Sequence, residues 1–77
     1  MNEKKDILKR INYVSGQLQG IKRMIEEERD CMEVLQQLKA SKSGIHGIIS
    51  LFAYGELCHQ KLDDEKLKRM IRTLVQS

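Results

Sequence analysis

The stretch CMEVLQQLKASKSGIHGIISLFAYGELCHQ, residues 31–60, is the part of the sequence that most strongly indicates the fold, because it runs for about thirty residues without a proline. Its apolar residues recur at helical spacing, which predicts one long helix. Such a helix rises about 1.5 Å per residue and would separate Cys31 from Cys58 by roughly 40 Å. Disulfide partners need Cα atoms within about 7 Å of each other. The two thiols therefore cannot meet in one chain, whereas an antiparallel second copy would bring Cys31 beside residues 56–60.

The start and the middle of this helix carry their own signals. Asp30 is typical of an N-cap, and Glu33 lies at the spacing of a capping box. Cys31 would then occupy the first turn, where free backbone N–H groups and the helix dipole favour a thiolate. Gly44 and Gly47 lie near the midpoint, where missing side chains would let two helices approach closely.

The flanking segments also predict helices. The segment from about 4 to 28 carries apolar residues in alternating steps of four and three, the spacing of a heptad seam. These residues are Ile7, Ile11, Val14, Leu18, Ile21 and Ile25. A third helix is expected at about 64–76, with acidic residues first and basic residues later. The prediction is an all-α fold of three helices with a long central helix, forming one domain over residues 1–77.

Length and composition narrow the class of protein. A chain of 77 residues buries little surface alone, so a long helix needs a partner and we expect an oligomer. The net charge of +3 permits binding to nucleic acid without requiring it. A polar start and the lack of a long apolar run predict a cytoplasmic protein without a membrane partner.

The cysteines are the candidate chemical groups. On a straight helix Glu56 and Gln60 lie within about 20° of the direction of Cys31, while Cys58 points nearly opposite. His59 lies four heptads after Cys31 and stays in phase if the helix is supercoiled. The alternative interpretation is that both cysteines are small buried hydrophobic residues and that His59 is a surface residue. The spacing matches no structural zinc motif.

Basic side chains form the second candidate site. They are Lys4, Lys5, Lys9 and Arg10 in the first helix, and Lys39 and Lys42 with His46 in the second. Such residues either cover a solvated face or, repeated around an oligomer, form a surface that matches DNA phosphates. No catalytic triad, phosphate loop or nucleotide fingerprint is present, so we expect that the protein is not an enzyme.

Several motifs taken together resemble the CsoR/RcnR/FrmR family of bacterial repressors over about residues 5–60. They are Leu8-Lys9-Arg10-Ile11, Gly16-Gln17, Gly20-Ile21, Arg23-Met24-Ile25-Glu26-Glu27, Asp30-Cys31, Val34-Leu35-Gln36-Gln37-Leu38 and Ala40-Ser41-Lys42-Ser43. The resemblance implies antiparallel dimers that pair into a disc-like homotetramer. It also implies a repressor that binds double-stranded operator DNA through Arg10 and Lys42, with Lys9, Gln17 and His46 as further candidates.

The same resemblance implies that an effector acting at Cys31 releases the DNA. Copper(I) sensors of the family place His and Cys 25 and 29 residues after this cysteine, where the present chain has Glu56 and Gln60. Persulfide sensors, the CstR-like branch, keep two cysteines, although their second one also lies at the later position. Reactive sulfur at Cys31 and Cys58 is therefore the first hypothesis.

Two alternatives stay open. Cu(I) bound by Cys31, Cys58, His59 and Glu56 is the second hypothesis, ahead of another metal or an electrophile. Apart from Cu(I), no cofactor is expected. The alternative without DNA is a helical oligomeric interaction module.

Overall fold

The computed structural model describes residues 3–55, 58 and 63–76 of the chain. Within this part lie the helices α1 (Glu3–Glu26), α2 (Cys31–Ala53) and α3 (Asp64–Val75), and no strand. The all-α class with three helices is therefore confirmed. The bounds of α1 and α3 lie within two residues of the predicted ones.

A tight turn reverses the chain between α1 and α2. Glu28 has a positive φ of 56°, in the left-handed region that few side chains other than those of Asn and Asp adopt. The backbone N–H of Arg29 donates to the carbonyl of Met24 at 2.9 Å, which satisfies an end group of α1. The turn sends α2 back antiparallel to α1.

The two helices lie close together at Gly44. A Cβ built on this residue would lie 3.0 Å from Cγ2 of Val14, which is buried. Nearby, the hydroxyl of buried Ser41 donates to Oε1 of Gln17 at 3.5 Å. The sequence suggested Gly44 as a contact between two copies, but in this structure it makes a close contact between α1 and α2 of one chain.

Only half of the predicted seam of α1 is covered. Ile7, Val14 and Ile21 are buried, and they recur every seven residues on the side facing α2. The alternate seam positions remain exposed, as do apolar residues of α2. These exposed residues include Ile11, Leu18, Ile25, Leu35, Leu38, Ile45, Ile49 and Phe52.

The dimensions of the chain explain this exposure. Its extents are 48 × 29 × 14 Å, and the shortest is close to the diameter of one helix, about 10–12 Å. The Cα radius of gyration is 15.7 Å, whereas a compact domain of this length would have about 11.5 Å. The described part of the protomer is therefore one layer of helices thick.

The prediction of one helix over residues 31–60 is wrong at its C-terminal end. Helix α2 stops at Ala53, and Tyr54 caps it with a backbone N–H that donates to Ser50 at 3.1 Å. Gly55 follows in a bend, where a Cβ would lie 2.7 Å from the carbonyl oxygen of Leu51 and would collide with the side chain of Glu3. Glycine is a poor helix former, and at this position there is also no space for a side chain.

The close approach at Gly44 gives a test of the α1–α2 packing. We expect Gly44→Ala to lower the free energy of unfolding by about 1 kcal/mol, because overpacking against Val14 outweighs the gain in helix propensity. Gly16→Ala is the control, since nothing lies within 4 Å of a Cβ there. That variant should be neutral or stabilising by up to about 1 kcal/mol. If urea denaturation gives the same change in unfolding free energy for Gly44→Ala and Gly16→Ala, the close contact between Gly44 and Val14 is contradicted.

Candidate effector and DNA-binding sites

Cys31 is an exposed free thiol at the first residue of α2. Its position is fixed by Asp30, whose Oδ2 accepts hydrogen bonds from the backbone N–H groups of Met32 at 3.1 Å and Glu33 at 3.3 Å. The predicted N-cap is therefore confirmed. The Glu33 carboxylate does not complete a capping box, because it pairs with the guanidinium of Arg29 at 3.0 Å.

Cys58 lies beyond the end of α2, is helical and is half-buried. Its S–H group donates a weak hydrogen bond to Sδ of Met70 in α3, with the two sulfur atoms 3.9 Å apart. In the sequence, Met70 belongs to the apolar stripe of the third helix and shows no link to Cys58. The contact joins residues twelve positions apart, and no local spacing signals it.

The two thiols remain apart within one protomer. From Cys31 to Ala53 the axis of α2 rises by about 33 Å. The five residues from Ala53 to Cys58 can reach back at most about 18 Å. At least about 15 Å therefore separates the Cα atoms of the two cysteines, too far for a disulfide. The conclusion drawn from the sequence holds even though the helix is shorter.

Two further candidate ligands cannot be placed. Glu56 and His59, predicted to face the Cys31 of another copy, lie outside the described residues. In the parts of the chain that the structure does describe, no group of three or more His, Cys, Asp and Glu side chains is arranged to hold a metal. The helical phases calculated for residues 56–60 also lose their basis, because α2 ends at Ala53.

The predicted DNA-binding residues lie on α1 and α2. Arg10 is exposed and its Nε lies 3.5 Å from Oδ2 of Asp6, an exposed pair of small energetic value. The Gly44–Val14 and Ser41–Gln17 contacts place Arg10 opposite about residue 48. Arg10 and Lys42 thus lie roughly 9 Å apart along the hairpin axis.

Lys42 and His46 are one helical turn apart, are exposed, and line the same groove. The groove has a volume of about 800 Å³ and runs between α2 and the C-terminal end of α3. Its walls are mainly apolar and include Leu18, Leu38, Ile45, Ile49 and Leu74. Lys42 and His46 therefore belong to the same surface of the protomer as these apolar residues.

The remaining two candidates differ in exposure. Lys9 is exposed on α1. Gln17 is half-buried and its side-chain oxygen accepts the hydrogen bond from Ser41, so it helps to join the hairpin.

Comparison with known proteins identifies the class. Residues 3–76 match the family described as metal-sensitive transcriptional repressor, and the chain belongs to that family. The match confirms the resemblance seen in the sequence. By that description, the proteins of this family are transcriptional repressors that respond to metals.

Two relatives illustrate the similarity. The copper-sensing transcriptional repressor RicR of Mycobacterium tuberculosis is 41% identical over 46 residues, which cover 60% of this chain and 48% of RicR. The chain thus spans about half the length of that relative. The transcriptional repressor RcnR of Escherichia coli K12 is 29% identical over 70 residues, covering 90% of this chain and 78% of RcnR. No solved structure matches the chain.

Among the described residues, no helix is long and apolar enough to cross a membrane. This agrees with the absence of a long apolar run in the sequence.

The cap beside Cys31 can be tested directly. Asp30→Ala removes the acceptor for two backbone N–H groups, and we expect it to lower the free energy of unfolding by about 0.5–2 kcal/mol. Asp30→Asn keeps a side-chain oxygen and should retain most of that stability. Both values can be measured by denaturation followed by circular dichroism. If Asp30→Asn loses as much unfolding free energy as Asp30→Ala, then the charge of the carboxylate, and not its hydrogen bonding, stabilises the N-terminal end of α2.

Proposed function

We propose that the protein is a homo-oligomeric repressor that binds operator DNA and releases it when a soft effector acts at Cys31 and Cys58. The observation that carries the proposal is the pair of free thiols, one at the first residue of α2 and one beyond its C-terminal end, in a chain of the metal-sensitive repressor family. Thiols select soft partners such as Cu(I) over hard cations. Cu(I) is therefore placed first among the effectors, ahead of the reactive sulfur that the sequence ranked first, because the family is described as metal-sensitive.

An oligomer would make the separated thiols neighbours. An antiparallel arrangement of two α2 helices places the N-terminal end of one beside the C-terminal end of the other. Cys31 of one copy would then lie beside the Cys58 region of a second copy. The exposed apolar residues of the one-layer protomer support such pairing, because burying them stabilises an assembly. A disc-like tetramer of two such dimers is part of the proposal.

A Cu(I) ion bound between copies would draw on Cys31 and Cys58, with His59 and Glu56 as further candidate ligands. Cu(I) would supply a bond between the copies, and the chain would supply sulfur donors and the helix ends that hold them. If Cu(I) binds tightly to only one arrangement of the copies, its binding free energy shifts the conformational equilibrium toward that arrangement. If that arrangement separates or tilts the basic faces, DNA affinity falls.

The second candidate effector is reactive sulfur. It is favoured by Cys31 being an exposed free thiol, since covalent chemistry at this atom needs no completed metal site. The Cys31 thiolate would attack the outer sulfur of an organic persulfide, giving a Cys31 persulfide and releasing the organic thiol. The thiol of Cys58 in a second copy would then attack the inner sulfur, forming a disulfide between copies and releasing hydrogen sulfide.

The effector can be identified by fluorescence anisotropy on DNA from the protein's own promoter. The reduced protein is kept anaerobic, and Cu(I) and an organic persulfide are titrated separately into the complex. We expect release at one Cu(I) per protomer without a covalent mass change. Release by persulfide alone, with a mass change, would assign the reactive-sulfur chemistry instead. Cys31→Ser should bind DNA and fail to respond; a fully inducible Cys31→Ser protein contradicts both mechanisms.

The DNA-binding face is tested by charge removal. Arg10→Ala and Lys42→Ala should each weaken operator binding, because a contact with phosphate is lost. The slope of log K against log salt should fall by about one for each phosphate contact removed. Lys68→Ala, which removes an exposed charge from α3, is the matched control and should bind as the wild-type protein does. Weak binding that neither Arg10→Ala nor Lys42→Ala alters would favour the helical interaction module.

A further inference from the structure

Met70 brings a second sulfur atom to the site of Cys58. The two residues belong to different segments, since Cys58 follows the turn after α2 and Met70 lies in the middle of α3. Both residues are half-buried. The Sγ–Sδ distance is 3.9 Å.

This distance fits a shared metal ion. Metal–sulfur bonds in proteins are about 2.3 Å long. Two sulfur ligands 3.9 Å apart would then subtend an angle of about 116° at the metal. That angle is close to the ~120° between ligands in a trigonal site. No large movement of either side chain is needed to place one ion between the two sulfurs.

The chemistry of the pair selects the metal. A thiolate and a thioether are both soft donors, and this combination prefers Cu(I) to hard cations, which bind through oxygen. We infer that Met70 is a ligand of the effector site, its thioether binding Cu(I) together with the Cys58 thiolate. The inference rests on the proposed function, which supplies Cu(I) as effector and Cys31 of a second copy as a third sulfur donor.

The role of Met70 has a structural consequence. The ligand set would include α3, so binding would fix the position of this helix against the Cys58 segment. A metal held by Cys31 and Cys58 alone would leave α3 outside the site. The proposal therefore differs from a cysteine-only site in the number of sulfur ligands and in which helices they join.

The proposal is tested with Met70→Leu, a substitution that preserves volume and removes only the sulfur donor. We expect its Cu(I) affinity, measured by competition with a chromophoric chelator, to fall at least about tenfold. Met24→Leu is the control, because Met24 is likewise half-buried and lies on α1. This variant should keep the wild-type affinity. Equal affinities of Met70→Leu and the wild-type protein would overturn the role of Met70.

A direct measurement does not depend on the folding of a variant. Wild-type protein labelled with selenomethionine is loaded with Cu(I) and studied by X-ray absorption at the copper edge. We expect a selenium neighbour at bonding distance, which persists in Met24→Leu and disappears in Met70→Leu. Copper bound with no selenium neighbour would overturn only the inference about Met70. Failure of the wild-type protein to bind Cu(I) would overturn the inference together with copper as the proposed effector.

Discussion

The protomer is only one helix layer thick, and this thickness limits how many of its apolar side chains can be buried. Two antiparallel helices can bury only the side that each turns to the other, and here that side supplies Ile7, Val14 and Ile21. The shortest dimension of the chain, 14 Å, leaves no room for a second layer. Apolar surface on α1 and α2 therefore remains exposed and available for another copy. The proposed functional site between copies would be built on this exposed surface.

The sequence predicted those features that depend on neighbouring residues. The cap at Asp30 and the seam of α1 depend on spacings of three to seven residues, and both were recognised. The family was also recognised, because its motifs lie within short segments. Local pattern alone did not show that α2 stops before Gly55. Part of the crowding around Gly55 comes from Leu51, and the rest comes from Glu3, which is about fifty residues away in the sequence.

The candidate site was predicted less completely for the same reason. Cys31 was placed correctly because an N-terminal helix position is a local property. The partner of Cys58 was not, because Met70 reaches it from a separate helix, and a methionine in an apolar stripe looks like a packing residue. Gln17 gives a second example: its side-chain oxygen accepts a hydrogen bond from Ser41 and so joins α1 to α2, a contact that local spacing does not signal. Its predicted role in DNA binding stays a prediction.

The turn at Tyr54 and Gly55 divides the chain into two mechanical parts. On one side lies the hairpin of α1 and α2, which carries Lys42; on the other lie Cys58 and α3, whose C-terminal residues line the groove against α2. The backbone hydrogen bonds of α2 end at this turn, so a change beyond the turn does not have to break them. A chemical change at Cys58 would therefore act first on the segment beyond the turn, and the groove would connect that segment with the surface that carries Lys42.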